Sequence, residues 1–164
     1  MARRITHKRL RHLIDYDQKT GLFTWKIARG PRKAGGRAGS VCTGPWGDYI
    51  QIHIDRQNYR GARVAWFWVH GRWPTKEIDH KNRRGTDNRL KNIRVSSSSQ
   101  NKMNRLTSGT NSTGLNGAFL DKRDGAWYSR IVKDRKLIHL GRFMTAKDAH
   151  NAYVKAGRKI YGEF

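Results

Sequence analysis

The chain has little of what holds secreted or membrane proteins together. It contains a single cysteine, Cys42, in 164 residues. No internal disulfide can form, and no zinc site can be built on paired cysteines. Cys42 reads as a partly buried small residue in a strand or loop. No apolar run approaches the roughly 18 residues of a membrane span. The basic start Met1-Ala2-Arg3-Arg4-Ile5 lacks the apolar segment of a secretory signal. A soluble, cytoplasmic protein with no membrane partner is expected. Acidic residues are scarce as well: 12 Asp and Glu stand against 35 Lys and Arg, for a formal charge of +23 and a pI near 11.1. Such a charge repels itself in the compact state and makes sense when phosphates neutralise it. The excess is spread along the chain, which fits a long nucleic-acid footprint better than a membrane-surface patch. Hydrophobic residues make up 36%. That is low for one well-filled core and favours small units joined by polar segments.

What is present falls into alternating patterns. Leu10, Leu13 and Ile14 at helical spacing predict a short basic helix over 6–15. Tyr16 to Gly21 reads as a turn in which Gly21 supplies a positive φ, followed by a strand over Leu22–Trp25. Residues 28–47, rich in Gly and Pro among basic residues, read as a loop that DNA would order. Tyr49–Ile54 alternates with period two and predicts a half-buried strand, after which Arg56-Gln57-Asn58 turns the chain back to Tyr59-Arg60. Residues 62–70 predict a buried helix, stopped by Gly71 and Pro74. His7, His12, His53 and His70 have no ligand-spaced partners, and structural roles are expected for them. The polar run over 107–113 predicts a linker between a first domain, 1–106, and a second, 114–164. In the second, strands are expected at Leu115–Leu120, Trp127–Lys133 and Lys136–Leu140, joined by Lys122-Arg123-Asp124-Gly125 and Asp134-Arg135. A helix follows. Thr145-Ala146-Lys147-Asp148 is a capping box, and Ala149, Ala152, Tyr153 and Ala156 form a small-residue face able to sit on a sheet. Trp127, Phe143 and Tyr153 are expected in the core.

Chemistry concentrates between residues 78 and 101: Ile78-Asp79-His80, Asp87-Asn88-Arg89, Asn92-Ile93-Arg94 and Asn101. Hydrolysing a phosphodiester needs an activated water and a cation to neutralise charge building on phosphate oxygens. A histidine, whose imidazole ordinarily titrates near about 6.5, can take the proton from that water. Asp79 beside it would point to the opposite face of a strand, so the two serve one centre only where the strand bends or ends. Asn101 sits in a serine-rich run with natural N-caps, and a helix there would carry its carboxamide to the same ion. Oxygen ligands of this kind suit Mg²⁺ or Mn²⁺, one ion per site. Asn92, where the intervening loop rejoins the second strand, is placed to tie the loop backbone and orient the imidazole. Asp87-Asn88-Arg89 would brace the same loop, and Lys81, Arg83, Arg84, Arg89 and Arg94 are placed to hold phosphates.

These residues resemble the HNH family of ββα-metal endonucleases, in particular the phage-type subgroup of free-standing homing endonucleases. Upstream, Tyr16-Asp17, Thr20-Gly21, Phe23-Thr24-Trp25, Gly47-Asp48-Tyr49 and Arg63-Val64-Ala65-Trp66 with Gly71 and Pro74 look like that subgroup's lead-in, so the resemblance covers roughly 8–106. It implies His80 as general base, Asp79 and Asn101 as metal ligands and Asn92 as the loop-orienting residue. One departure is Ala62, where the subgroup often places a histidine.

Further on, Gly114 to Phe119, Trp127 to Ile131, His139 to Ala149 and Ala152-Tyr153 together resemble the AP2 DNA-binding domain. That family presents a three-stranded antiparallel sheet to the DNA major groove with one helix packed behind. Alternation would turn Trp127, Ser129 and Ile131 inward and Tyr128, Arg130 and Val132 outward. Arg123, Tyr128, Arg130, Lys133, Arg135 and Lys136 are the candidate DNA contacts.

The fold expected is thus α+β: a ββα-metal nuclease domain followed by a small AP2-like domain. The function expected is a metal-dependent endonuclease of homing type, acting as a monomer on double-stranded DNA, in a host cytoplasm if phage-encoded. Linking the two modules raises the effective concentration of the catalytic one at its site. The alternative is a DNA-binding regulator with a relic nuclease fold, which would be free to lose Asp79, His80 or Asn101.

Overall fold

The structure is a computed structural model and describes residues 5–28, 30–104, 113–134 and 136–162. It divides into two compact units, Met1–Ser98 and Ser99–Phe164. The division falls ahead of the expected linker, of which residues 107–112 lie outside the described residues.

The first unit opens with helix α1, His7–Leu13, capped where Thr6 Oγ1 accepts the Arg9 amide at 3.2 Å. Leu10 and Leu13 point into the core, and the chain passes directly into strand β1, Ile14–Tyr16, paired antiparallel with β2, Phe23–Trp25. The turn between them is held by Asp17. Its carboxylate accepts the Lys19 amide at 2.8 Å and the Thr20 hydroxyl at 2.9 Å, and its carbonyl accepts the Gly21 amide at 2.8 Å. Those bonds hold the Asp17 carboxyl below the ordinary carboxylate range, the Lys19 amide contributing most. Gly21 has φ +77, a left-handed conformation that favours glycine.

The loop expected over 28–47 is only partly a loop. Residues 35–38 run along β2, with Trp25 N donating to Gly36 O at 2.8 Å and Ala38 N to Phe23 O at 2.7 Å. Ser40–Gly44 is a strand, β3, paired with β4, Gly47–Ile54. Its residues are largely exposed, so no alternation marks it in sequence; β4 supplies its hydrogen bonds. In β4, Ile50, Ile52 and Ile54 face the core as expected. The chain turns at Asp55 and Arg56, both at positive φ, one residue earlier than the sequence suggests, and returns as β5, Gln57–Arg60. Helix α2, Gly61–His70, buries Ala62, Val64, Ala65 and Phe67 and stops at Gly71, φ +69. Leu10, Leu13, Ile14, Ile52, Ile54 and Val64 are all but inaccessible, each contributing on the order of 2 kcal/mol by burial. Arg63 on α2 donates to the carbonyls of Pro74 at 2.9 Å and Lys76 at 3.0 Å, strapping down the segment that leads to the next hairpin. That hairpin pairs β6, Glu77–His80, with β7, Ile93–Ser96.

The second unit holds most of a short helix, α3, Ser98–Asn104, then β8, Ala118–Leu120, β9, Trp127–Lys133, β10, Lys136–Phe143, and helix α4, Ala146–Tyr161. The sheet is antiparallel in the order β10-β9-β8, with an irregularity between His139 and Gly141. Gln100 on α3 donates to Tyr161 O on α4 at 2.7 Å. The α4 capping box forms as expected, Thr145 Oγ1 accepting the Asp148 amide at 3.1 Å. Ala149 on α4 is fully buried, as are Ala118, Ser129 and Ile131 on the inner face of the sheet. Trp127, Phe143 and Tyr153 are half-buried. Among the described residues no helix is long and apolar enough to cross a membrane.

Candidate active site

The β6–β7 hairpin places Asp79 opposite Arg94 and His80 opposite Ile93. Asp79 is buried, 5% exposed, and its neighbour His80 is half-buried. The strand ends at His80, where Arg83 N donates back to His80 O at 2.9 Å and Lys81 N to Asn92 O at 2.8 Å. This meets the condition that period-two alternation imposed on the pair.

Arg94 and Asn88 each hold one member of the pair. Arg94 Nε donates to Asp79 Oδ2 at 2.9 Å, a contact that is mostly shielded, the two side chains being 20% and 6% exposed. Arg94, read from sequence as a phosphate contact, here meets the carboxylate. His80 Nε2 lies 3.0 Å from Asn88 Oδ1. Because an amide oxygen only accepts, Nε2 carries the proton in that contact.

Asn88 is the residue that the sequence reading undervalued. It is 1% exposed, and Tyr16 OH donates to its carbonyl at 2.6 Å. Burial pushes the Tyr16 phenol up, with Asp17 and Asp87 adding to the effect. A Cβ on Gly21 would lie 2.5 Å from Arg89 N, and one on Gly61 would lie 2.7 Å from Asn88 Nδ2. Close backbone approaches thus fix Asn88 from the turn after β1 and from the start of α2.

Asn92, expected to tie the loop and orient the imidazole, ties the loop. Its Oδ1 accepts Asn82 N at 3.1 Å, and its Nδ2 donates to Asp87 O at 2.7 Å and to Asn82 Oδ1 at 3.0 Å. Asn82, which no spacing argument singled out, is the other half of that knot and donates from Nδ2 to Asp87 Oδ2 at 2.7 Å. Its signal was an Asx residue at the start of a turn, where local side-chain-to-backbone bonds are common. Asp87 also takes two bonds from the Arg89 guanidinium, and that partner holds its carboxyl down at about 2.

Lys81, Arg83 and Arg84 stand exposed on the same loop. Asn101 is on α3, in the second unit, half-buried. Three of the other histidines have structural contacts: His7 Nε2 lies 2.9 Å from Trp68 O, His53 pairs with Asn58, and His70 packs on Trp66.

The donor set suits a hard divalent cation. Asp79 offers a buried carboxylate, a hard oxygen ligand. Among the described residues no three His, Cys, Asp or Glu side chains cluster as a metal site. A cation at Asp79 therefore needs amide oxygens and water to complete its shell, which Mg²⁺ accepts.

Residues 62–103 match the HNH endonuclease family model. The matched stretch runs from α2 through the β6–β7 hairpin into α3. It supports an HNH nuclease domain, and with it nuclease as the class of activity, DNA as the substrate and a divalent metal as the usual cofactor of the family. No curated protein and no solved structure matches the chain.

In the second unit Arg130, Lys133 and Lys136 are exposed and Tyr128 is half-buried, while Arg135 lies outside the described residues. Arg123 donates to both carboxylate oxygens of Asp121, at 3.0 and 2.8 Å, and Arg142 reaches Asp121 and Asp124. The Arg123 guanidinium holds the Asp121 carboxyl far below the ordinary range.

Proposed function

We propose that the chain is a metal-dependent DNA endonuclease of homing type, in which the AP2-like second unit selects the site and the HNH-like hairpin cuts or nicks it. The observation that carries the reading is the pair at the end of β6, with Asn88 on the imidazole of His80 and Arg94 on the carboxylate of Asp79, inside the matched stretch. Asp79 and Asn101 are the residues to hold Mg²⁺ or Mn²⁺. When bound, such an ion neutralises charge developing on the phosphate oxygens. His80 is the general base. With Nε2–H given to Asn88, the lone pair of the neutral ring is at Nδ1, the atom that takes the proton from the attacking water. Asn92 keeps the loop closed behind it, and Lys81, Arg83 and Arg84 hold the DNA backbone. One such centre per chain implies a nick, unless two copies meet on the target.

The test is incubation of purified protein with a duplex DNA library and Mg²⁺ or Mn²⁺, followed by end sequencing to give site, strand and offset. Wild type is expected to cleave, and His80→Ala to bind the same DNA without cutting it. If wild-type protein never cuts any DNA with either metal, the nuclease reading fails; sequence-selective binding without cleavage would establish the regulator alternative.

A further inference from the structure

The outer face of the β8–β9–β10 sheet carries exposed apolar and aromatic side chains. Cross-strand register puts Phe119 beside Tyr128, Arg130 beside His139 and Val132 beside Leu137. Helix α4 covers the opposite face, so these side chains are uncovered: Phe119 is 37% exposed, Val132 52% and Leu137 59%. The rings form a row across all three strands. Phe119 and Tyr128 have centroids 5.4 Å apart with planes at 23°, and Tyr128 and His139 are 6.1 Å apart at 11°. The Arg130 guanidinium lies 4.8 Å from the Phe119 ring centre and 5.8 Å from that of Tyr128. The imidazole is pre-set, because Gly141 N donates to His139 Nδ1 at 3.2 Å across the irregularity in β10.

Beside this row is an open depression of about 320 Å³. Its lining mixes the rings of Tyr128 and His139 and the aliphatic Leu137 with the cations Lys122, Arg123, Arg130 and Arg142. Asp121 also lines it, with its carboxylate taken up by Arg123 and Arg142. Rings interleaved with cations, as the register of Arg142 with Tyr128 and of Arg130 with His139 places them, offer a surface for a base beside charge for its phosphate. The grooves of a duplex offer base edges, and the only apolar group presented there is the thymine methyl. An unpaired strand offers base faces, and every base has one to stack on an aromatic ring.

We propose that this sheet face binds single-stranded DNA, stacking unpaired bases on Phe119, Tyr128 and His139 and drawing phosphates to Lys122, Arg130 and Arg142. The inference deepens the DNA-binding half of the proposed function and rests on DNA being the partner, but not on cleavage. It gives the unit a hold on a strand displaced or released at a nick. Such a hold tolerates sequence, because stacking reads no base edge.

The test is fluorescence anisotropy of the full-length chain at fixed salt in EDTA, where no cutting occurs. The probes are a labelled oligothymidylate and its duplex with oligoadenylate of equal length. Tyr128→Ala and His139→Ala should each weaken binding of the single strand by about tenfold, the scale of one stacked base. Tyr128→Phe, which keeps the ring, should restore it, and both alanine variants should lose clearly less affinity for the duplex than for the single strand. Equal losses on both probes would overturn the proposal in favour of duplex readout. Unchanged single-strand binding in the alanine variants, with the circular dichroism of wild type, would overturn it as well. A chain that binds in this pattern yet never cuts DNA would refute the nuclease reading and leave this one standing.

Discussion

Replacing Gly21 with alanine asks whether the turn after β1 holds the active-site loop in place. Gly21 has φ +77, and a non-glycine residue there costs about 1–2 kcal/mol. The added Cβ would sit 2.5 Å from Arg89 N and 2.7 Å from the Asn88 carbonyl carbon. Both are backbone atoms, so no side-chain rotation relieves the contact, and the loop must move. Displacing packed backbone costs roughly a further 1–3 kcal/mol. The stiffer unfolded chain returns about 0.4–1 kcal/mol. The net destabilisation is therefore about 1–5 kcal/mol by these figures, with a midpoint of ~3. Gly47→Ala is the control. Its φ is +97 but nothing lies within 4 Å of its Cβ, so it carries the conformational cost alone, about 1–2 kcal/mol before the same offset. Urea unfolding followed by amide hydrogen exchange, on peptides spanning 7–25 and 88–96, isolates the first unit from the second. Cleavage should fall too, since a misplacement of about 1 Å can cost on the order of 100-fold. A Gly21→Ala protein no less stable than Gly47→Ala would show that the turn merely passes near the loop.

Tyr16→Phe removes the hydroxyl that donates to the buried Asn88 carbonyl and should cost about 1–3 kcal/mol by the same measurement, with no change in DNA affinity. Asn92→Ala breaks bonds to Asn82 N and Asp87 O; a loss of about 2 kcal/mol is expected, together with faster exchange of the Asn82 amide. Asp87 sets an acid limit. Its folded value of about 2 lies below the ordinary ~3.9, so its ion pair with Arg89 is fully present above pH ~4 and is lost as pH falls towards 2. Arg89 is 38% exposed and the pair is screened, so the contribution is about 1 kcal/mol rather than the 2 or more of an unscreened shift. Asp87→Asn should flatten the stability of the first unit over that window, and an unchanged slope would refute the assignment. Arg94→Met should remove a charged donor from the buried Asp79 carboxylate and cost about 3 kcal/mol. Urea titration of the variant with and without Asp79→Asn measures the coupling.

Some of this architecture is written locally. The alternation of Ile50, Ile52 and Ile54 marks β4, the capping box marks α4, and strand β9 falls over the residues expected for it. Those signals survive because each element carries its own periodicity or cap. Strand β3 left no such mark. Its side chains are largely solvent-facing, and it is a strand because β4 offers a ladder. The same division holds at the site. Asp79 and His80 are legible as neighbours, and the need for the strand to end there follows from alternation alone. Which asparagine reaches the imidazole is not legible. Asn88 and Asn92 lie four residues apart in one polar loop, and only the path of that loop decides between them.

By itself the sequence determined the inventory: a strongly basic chain, an Asp-His pair, several asparagines in the polar run after it and a second unit with an alternating strand pattern. Periodicity, charge and residue chemistry act over a few positions and need no partner. The tertiary structure decided the assignments. It set Asn88 on His80, Arg94 on Asp79 and Asn92 on the loop backbone, and it lined up Phe119, Tyr128 and His139 across three strands. Each of those contacts joins residues whose separation is fixed by strand register and by backbone approaches at Gly21 and Gly61. Register and packing are properties of the folded chain, and no local pattern encodes them.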